Sequence, residues 1–235
     1  MHQIRISPEA LEFARRQRGG ALHMFERLDL SRTAHLIVDM QNGFVAPGAP
    51  VEVPVARDIV PNINAISRAV RQAGGTNVFL QMTVAEDTFD TWSTWFRYFH
   101  TAESTAHFEG AFGHGRHHWS LWPEMEVADG DLFVDKTRFG AFVPGASRLH
   151  ETLQARGIDT LIVTGTLTNC CCESTARDAM QMNYKLVFVS DANAALTDAA
   201  HNATLDNMCM IFADVRPTGE VVDLIASSAA PLAAE

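Results

Sequence analysis

Three residues of different chemical type each end or closely follow an apolar run that has the pattern of a buried strand. They are Asp39, Lys136 and Cys171. The carboxyl ends of parallel strands meet at one edge of a sheet, and ligands of such sheets bind there. A carboxylate, an ammonium group and a thiol are the groups that nucleophilic catalysis by cysteine requires. The pattern places the three residues at one edge but does not show that they touch.

Cys171 has a further physical argument in its favour. Thr168 is a candidate N-cap for a helix that begins at Asn169, which would place Cys171 in the first turn. The free amides and the positive end of the helix dipole favour a thiolate there, and a nearby Lys136 adds to the effect. We therefore expect Cys171 to ionise readily and to act as the nucleophile.

Each of these residues also has an ordinary structural explanation. An aspartate at a strand end often caps a turn, a lysine there is usually solvated, and a buried cysteine is often a small apolar filler. Cys170 and Cys172 lie about 100° to either side of Cys171 on a helix, so we expect both to point elsewhere and to pack. Cys209 is interpreted as a packing residue as well. From residue types alone these alternatives stay open.

Residues 85–122 hold too many large aromatic side chains for a solvated loop. The aromatic residues of this segment are Phe89, Trp92, Trp95, Phe96, Tyr98, Phe99, Phe108, Phe112, Trp119 and Trp122. The segment is interpreted either as a lid or pocket wall for an apolar or planar substrate, or as a subunit interface. Its histidines, including the run His114–His118, have no acidic partner at a recognisable spacing, so we expect no metal site.

The candidate substrate pocket combines two residues of this segment, Trp92 and Trp95, with residues that follow Asp39 and Lys136 along the chain. The latter are Phe44, Arg138, Phe139 and Phe142. Arg138 could bind a substrate carboxylate, although a surface salt bridge explains it equally well.

Apolar periodicity defines the elements that must position these residues. Strands are predicted near residues 35–39, 77–82, 131–136, 160–164, 185–190 and 210–213. Helices are predicted near residues 59–73, 146–156, 169–183, 198–208 and 219–228. This alternation predicts an α/β fold with three layers (α-β-α) and a six-stranded, mostly parallel, Rossmann-like sheet. Residues 1–30 are predicted to form an N-terminal arm, and residues 31–235 a single domain.

Composition excludes several classes of partner. The formal net charge of -10 and the pI of about 5.4 argue against binding to nucleic acid or to anionic membranes. No apolar run reaches the roughly 18 residues of a membrane helix, and the charged start lacks the apolar core of a signal peptide. Four cysteines, three of them consecutive, fit no disulfide framework. We expect a cytoplasmic protein that acts on a small molecule without a cofactor.

Two motifs resemble the signatures of the isochorismatase-like hydrolase superfamily. DMQNGF (39–44) resembles the pattern D-M-Q-x-[DG]-F, and VTGTLTNCCCESTARDA (163–179) resembles V-T-G-x-x-T-N-x-C-V-x-[ST]-T-A-R-D-A. VDK (134–136) matches the strand that ends in the catalytic lysine of the family. The resemblance covers roughly residues 33–225, and it implies a catalytic triad of Asp39, Lys136 and Cys171.

The resemblance also implies a local backbone geometry and a branch of the superfamily. It implies a cis peptide between Thr166 and Leu167 and an oxyanion hole formed by the amides of Leu167 and Cys171. Because Cys171 is present, the amidase-type branch is favoured, which includes nicotinamidase, N-carbamoylsarcosine amidase and ureidoacrylate hydrolase. The segment EDTFD (86–90) lacks the D-x-H metal motif of nicotinamidases, so a bound metal is not expected.

The function implied is a cysteine hydrolase that cleaves the C–N bond of an amide, carbamoyl or ureido small molecule through a thioester acyl-enzyme. Two alternatives remain: a vinyl-ether hydrolase of the isochorismatase type, and a non-catalytic binding protein on the same fold. Family precedent and the aromatic segment also lead us to expect a homodimer or homotetramer.

Overall fold

A six-stranded parallel sheet forms the centre of the protein. The computed structural model describes residues 1–230. The strands are β1 (Thr33–Val38), β2 (Thr76–Met82), β3 (Leu132–Lys136), β4 (Thr160–Thr166), β5 (Lys185–Ala194) and β6 (Asp214–Arg216). Their order in the sheet is β3-β2-β1-β4-β5-β6. The longer helices are α1 (Pro8–Gln17), α3 (Val60–Gln72), α6 (Ala102–Phe112), α8 (Glu173–Gln181), α9 (Asp198–Asn207) and α10 (Thr218–Ala229). The shorter helices are α2 (Asn42–Val45), α4 (Thr88–Thr91), α5 (Ser93–Phe99) and α7 (Leu149–Gln154).

Helices cover both faces of this sheet, so the predicted three-layer α/β fold is confirmed. On one face α3 and α10 pack with the aromatic side chains of α5 and α6 against inward residues of the strands. On the other face α1, α7, α8 and α9 do the same. The central strands β1 and β4 are buried along their whole length, which explains their continuous apolar sequences.

The predicted N-terminal arm packs on both layers of the domain. Ala14 of α1 is buried with the second layer, whereas Leu28 and Leu30 are buried with the first. Arg18 donates hydrogen bonds to the carbonyl oxygens of Leu22 and Cys209. The arm is therefore part of the folded body. None of the helices in residues 1–230 has the length and apolar character needed to cross a bilayer.

The prediction of a strand at residues 210–213 is wrong. Residues Met208–Phe212 continue α9 as a π-helical turn, and the sixth strand is β6, which begins at Asp214. The apolar run MCMIF is compatible with a buried helix as well as with a strand. Met208 and Cys209 face the core while Ile211 is exposed, which is the pattern of a helical surface rather than of a strand buried on both faces.

Gly165 allows the ends of β1 and β4 to approach each other. Its φ is +118°, and a Cβ atom built on it would lie 2.1 Å from the carbonyl oxygen of Val38. A side chain at this position would therefore collide with the backbone of β1. The close approach brings the residue after β1, Asp39, next to the turn that follows β4.

Candidate active site

The sheet places Asp39 and Lys136 at the same edge, although their strands are not neighbours. Asp39 follows β1 directly in a left-handed conformation, with φ of +52°, and its amide donates to the carbonyl oxygen of Leu80. Lys136 is the last residue of β3 and is paired in register with Met82 of β2. The lysine side chain extends across the end of β2 to reach the carboxylate.

Lys136 and Asp39 form a fully buried ion pair. Lys136 Nζ lies 2.7 Å from Asp39 Oδ2, and neither side chain is exposed. The ammonium group also donates to the carbonyl oxygen of Arg138 at 3.1 Å and to Met82 Sδ at 3.8 Å. Within the described part of the chain, neither carboxylate oxygen has a hydrogen bond of regular geometry. The carboxylate therefore keeps lone pairs that can accept a proton.

The surroundings of this pair prepare the carboxyl for proton transfer. Burial raises the pKa of Asp39, although Lys136 and the Cys171 thiol beside it oppose the effect. Burial alone would lower the pKa of Lys136, but the charge of Asp39 and the hydrogen bond with it outweigh burial and raise that pKa. Lys136 therefore stays charged. An aspartate with a raised pKa is suited to take up a proton and to return it.

Cys171 lies on a π-helical turn, Thr168–Cys172, that leads into α8. The side chain is 2 % exposed. A hydrogen bond with the Cys170 thiol and burial raise the pKa of Cys171 well above its usual value, while Lys136 acts in the opposite direction. The expectation that the thiolate is favoured is therefore wrong for the resting protein. The nucleophile is held as a neutral thiol next to a carboxylate that can remove its proton.

Two further expectations about this turn are corrected. Thr168 is not the N-cap; Leu167 is, without a side-chain cap, and the Thr168 hydroxyl bonds instead to the ring of His201. Cys170 does not point away from the nucleophile, because its thiol interacts with that of Cys171. The 100° spacing assumed for an α-helix does not apply to a π-helical turn. Cys172, in contrast, is buried in the core as expected.

The backbone beside Cys171 contains the two amides that are predicted to form the oxyanion hole. The peptide between Thr166 and Leu167 is cis. The amides of Cys170 and Cys172 both donate to the carbonyl oxygen of Leu167, whereas in the described residues the amides of Leu167 and Cys171 bond to no group outside their turn. Two free amides that point to one place stabilise an oxyanion. The assignment of this role to Leu167 and Cys171 stays a prediction.

Four of the six predicted pocket residues belong to one aromatic wall, and a fifth lies at its rim. Trp92 and Trp95 stack at 4.3 Å between ring centroids, and each contacts the ring of Phe139 edge-on. Phe44 joins this group through Phe108 and Phe112, two aromatic residues of the segment 85–122 that were not assigned to the pocket individually.

Arg138 lies at the rim of the wall, 5.1 Å from the centroid of the Trp92 ring. Its guanidinium donates to the carbonyl oxygen of Thr137 and to the hydroxyls of Thr137 and Thr91. No carboxylate of residues 1–230 forms a salt bridge with it. With Trp92 and Phe139 it lines a cavity of about 540 Å³.

Phe142 has no ring contact with this wall in the described structure. Its ring packs against Tyr184 and His150, in the hydrophobic cluster that also contains Cys171. Its assignment to the pocket stays a prediction.

For the aromatic segment, the pocket-wall and subunit-interface alternatives both stay open. Phe96 of α5 is buried, as a pocket wall requires, whereas Tyr98 and Phe99 of the same helix are 73 % and 76 % exposed, as an interface requires.

Gln41 is a site residue that was not predicted. It is buried, its side-chain oxygen accepts from the Met82 amide at 2.7 Å, and its nitrogen donates to the carbonyl oxygens of Met82 and Trp119. It thereby joins the loop after β1 to the end of β2. Its position two residues after Asp39, within the first motif, was the available signal. In residues 1–230, no group of three or more His, Cys, Asp or Glu side chains is arranged to hold a metal ion.

Comparison with known proteins identifies the family of this chain. The isochorismatase domain model matches residues 33–220. The chain belongs to the isochorismatase family. It is 33% identical to an uncharacterized isochorismatase family protein of Bacillus subtilis, YwoC, over 76% of this chain and 86% of that protein. It is 34% identical to the ureidoacrylate amidohydrolase RutB of Variovorax paradoxus, over 86% of this chain and 85% of that protein.

Among solved structures, a cysteine hydrolase from Pseudomonas syringae is similar to this isochorismatase-family protein with a TM-score of 0.79 and 29% identity. The match covers 88% of this chain and 98% of that chain. The predicted superfamily and the parallel three-layer fold are thus confirmed. The family match and this neighbour also confirm that the protein is a hydrolase of the isochorismatase-like type.

Proposed function

We propose that this isochorismatase-family hydrolase cleaves the C–N bond of an amide, carbamoyl or ureido small molecule, with Cys171 as nucleophile. The observation that carries the proposal is the buried contact of one carboxylate, Asp39, with both the Lys136 ammonium group and the Cys171 thiol. A vinyl-ether hydrolase has no need of a thiol at this position. The similarity to a protein named ureidoacrylate amidohydrolase supports the same reaction class.

The reaction begins with proton transfer from the Cys171 thiol to Asp39 as the sulfur attacks the substrate carbonyl carbon. The amides of Leu167 and Cys171 stabilise the oxyanion that forms. Asp39 then donates the proton to the leaving nitrogen, the C–N bond breaks, and a thioester remains on Cys171.

Hydrolysis of the thioester repeats these steps with water. Asp39 removes a proton from the water as its oxygen attacks the thioester carbonyl. The C–S bond breaks, the acid or carbamic acid leaves, and the proton on Asp39 returns to the Cys171 sulfur. Lys136 keeps its charge because Asp39 raises its pKa, and the ammonium group in turn stabilises the ionised form of Asp39 before each proton transfer.

The end of the substrate distant from the scissile bond is proposed to be planar and to bear a carboxylate. Trp92 and Phe139 supply flat apolar surfaces, and the Arg138 guanidinium beside them lacks a carboxylate partner among the described residues. A guanidinium favours carboxylates through paired hydrogen bonds. The proposed assembly is a homodimer or homotetramer, for which exposed Tyr98 and Phe99 offer apolar contact area.

The decisive experiment measures ammonia or amine release from primary amides, N-carbamoyl amino acids and ureido acids. Each acid is paired with its carboxamide analogue. We expect wild-type turnover with at least one carboxylate-bearing member and a loss of about 10⁴-fold or more in Cys171→Ala, as for removal of a covalent nucleophile. Cys209→Ala is the matched control, because that cysteine is equally buried but remote from the carboxylate.

Retained turnover in Cys171→Ala would contradict the proposal. Silence of the wild type across the panel, together with hydrolysis of a vinyl ether, would favour the isochorismatase-type alternative. Tight binding of a panel member without turnover would favour a binding protein.

A further inference from the structure

The neutral ring of His201 is a buried titratable group that the proposed mechanism does not use. It is fully buried on α9, with Nδ1 2.9 Å from the Thr168 hydroxyl and Nε2 3.0 Å from the carbonyl oxygen of Ser190. A carbonyl only accepts, so Nε2 carries the proton and Nδ1 is left to accept from Thr168. Burial lowers the pKa of His201 to about 4, which keeps the ring neutral at ordinary pH.

Thr168 connects this histidine to the reacting groups. It is the first residue of the π-helical turn that carries Cys171, and it directly follows Leu167, whose amide is one of the proposed oxyanion donors. Leu167, the N-cap, contributes no side-chain hydrogen bond. In the described structure the bond from Thr168 to His201 therefore ties the start of this turn to the neighbouring helix.

The N-terminal arm completes the arrangement. The ring of His2 stacks on that of His201, with 4.3 Å between centroids and 20° between planes. The amide of Ala195 donates to His2 Nε2, and His2 Nδ1 lies 2.7 Å from Asp198 Oδ1. The side chain of His2 is only 3% exposed. In both rings each nitrogen therefore has a hydrogen-bond partner. The ring of His2 covers one face of the His201 ring.

We propose that His201 is a positioning residue that holds the turn bearing Leu167 and Cys171 through the Thr168 hydroxyl, and that His2 of the arm holds His201. The role of the turn in catalysis rests on the proposed function. The hydrogen bond between Thr168 and His201, and its effect on the position of the thiol, do not depend on the proposed function. The sequence suggested no role for the N-terminal arm. In this proposal the arm supports the site through His2.

The test compares Thr168→Val, which removes the hydroxyl and keeps the shape, with Thr168→Ser, which keeps the hydroxyl. For Thr168→Val we expect kcat to fall about 10- to 100-fold with KM within about threefold, as for displaced catalytic groups, and Thr168→Ser to stay within about fivefold of wild type. Thr33→Val is the matched control, because its buried hydroxyl binds the Asp29 carbonyl oxygen at the opposite end of the sheet.

His201→Phe keeps a buried ring but removes both nitrogens. We expect it to reproduce the kcat loss of Thr168→Val, and the double variant to be no worse than either single variant, since both remove the same contact. His2→Ala should lower kcat by about threefold or more, and His2→Phe, which keeps the stacked ring, should not. Losses that multiply in the Thr168 and His201 double variant, or an unchanged kcat in Thr168→Val, would overturn the proposal.

A second readout does not depend on any substrate. The rate of Cys171 alkylation by iodoacetamide, assigned by peptide mass mapping, should change by about fivefold or more in Thr168→Val and His201→Phe but not in Thr33→Val. Equal rates in all four proteins would show that the contact does not position the thiol. If wild type alkylates normally but hydrolyses no amide, the proposed function fails and this comparison still decides the positioning role.

Discussion

Asp39 must serve two partners at once, because Lys136 and Cys171 both lie beside its carboxylate. Replacing it by asparagine preserves shape but removes the proton acceptor and leaves a buried ammonium group unpaired. We expect Asp39→Asn to lower kcat by about 10²- to 10⁴-fold. We also expect a decrease of about 3–5 kcal/mol in the free energy of unfolding, because the buried Lys136 loses its counter-charge.

The double variant Asp39→Asn/Lys136→Met separates these two effects. Without the ammonium group no charge is left uncompensated, so stability in urea should recover in part while kcat stays low. Activity that returned along with stability would mean that Asp39 has only a structural role.

At the scale of single residues, the sequence indicated positions better than it indicated chemical states. Asp39, Lys136 and Cys171 could be placed at one edge because strand topology alone brings strand ends together. The protonation of Cys171 could not be predicted, because it depends on burial and on the Cys170 thiol, which only the folded π-helical turn brings into contact. The contacts of Gln41 were hidden for the same reason.

At the scale of elements, we expect α5 and the aromatic residues beside it to act as a lid, which is one of the two alternatives that stay open for this segment. Cys171 is 2 % exposed and Asp39 is fully buried, so part of the surrounding structure must move before a substrate reaches them. Trp95 is central to the aromatic wall, since it contacts Trp92, Phe108 and Phe139. Lids of this kind open by local motions that cost less than global unfolding.

We therefore expect Trp95→Ala to accelerate alkylation of Cys171 by iodoacetamide about tenfold, since the missing indole leaves an opening. Tyr98→Ala is the control on the same helix, because its side chain is 73 % exposed and points away from the site. Rates are measured by quenched time points and mass mapping of the Cys171 peptide. Equal rates in both variants would locate the entrance elsewhere.

The sequence predicted five of the six strands close to their observed positions, since buried parallel strands have a strong apolar signal. The strand prediction failed at Met208–Phe212, where apolar residues continue a helix. A run of five apolar residues is too short for its periodicity to distinguish a buried helix from a strand. The contacts of Phe142 with Tyr184 and His150 could not be predicted, because nearness along the chain to Lys136 does not determine the neighbours of a side chain.

At the scale of the whole molecule, two buried histidines make stability depend on pH. Burial lowers the pKa of His35 to about 3 and that of His201 to about 4, against about 6.5 in the unfolded chain. Between these values the unfolded state binds protons that the folded state does not. Stability should therefore fall as the pH decreases from about 6.5 towards 4, by up to about 1.4 kcal/mol per pH unit for each imidazole.

Urea unfolding between pH 7 and pH 4.5 tests this expectation. In His35→Gln the decrease in stability on acidification should be smaller by about the contribution of one imidazole. His107→Gln, at an exposed position, should follow wild type. A wild-type stability that stays constant over this range would contradict the assignment of both rings as neutral in the folded protein.

The long insertion between β2 and β3 leaves the sheet after Met82 and returns at Leu132, on two strands that pair with each other. Its two ends are therefore held by the sheet, whereas the nucleophile and its carboxylate come from β4 and β1. We therefore expect the contribution of Trp92 and Trp95 to substrate selectivity to be separable from bond cleavage, whereas Arg138 and Phe139 lie outside the insertion. An exchange of this insertion between relatives is therefore expected to alter which substrates are accepted, while Asp39, Lys136 and Cys171 stay in place on the sheet.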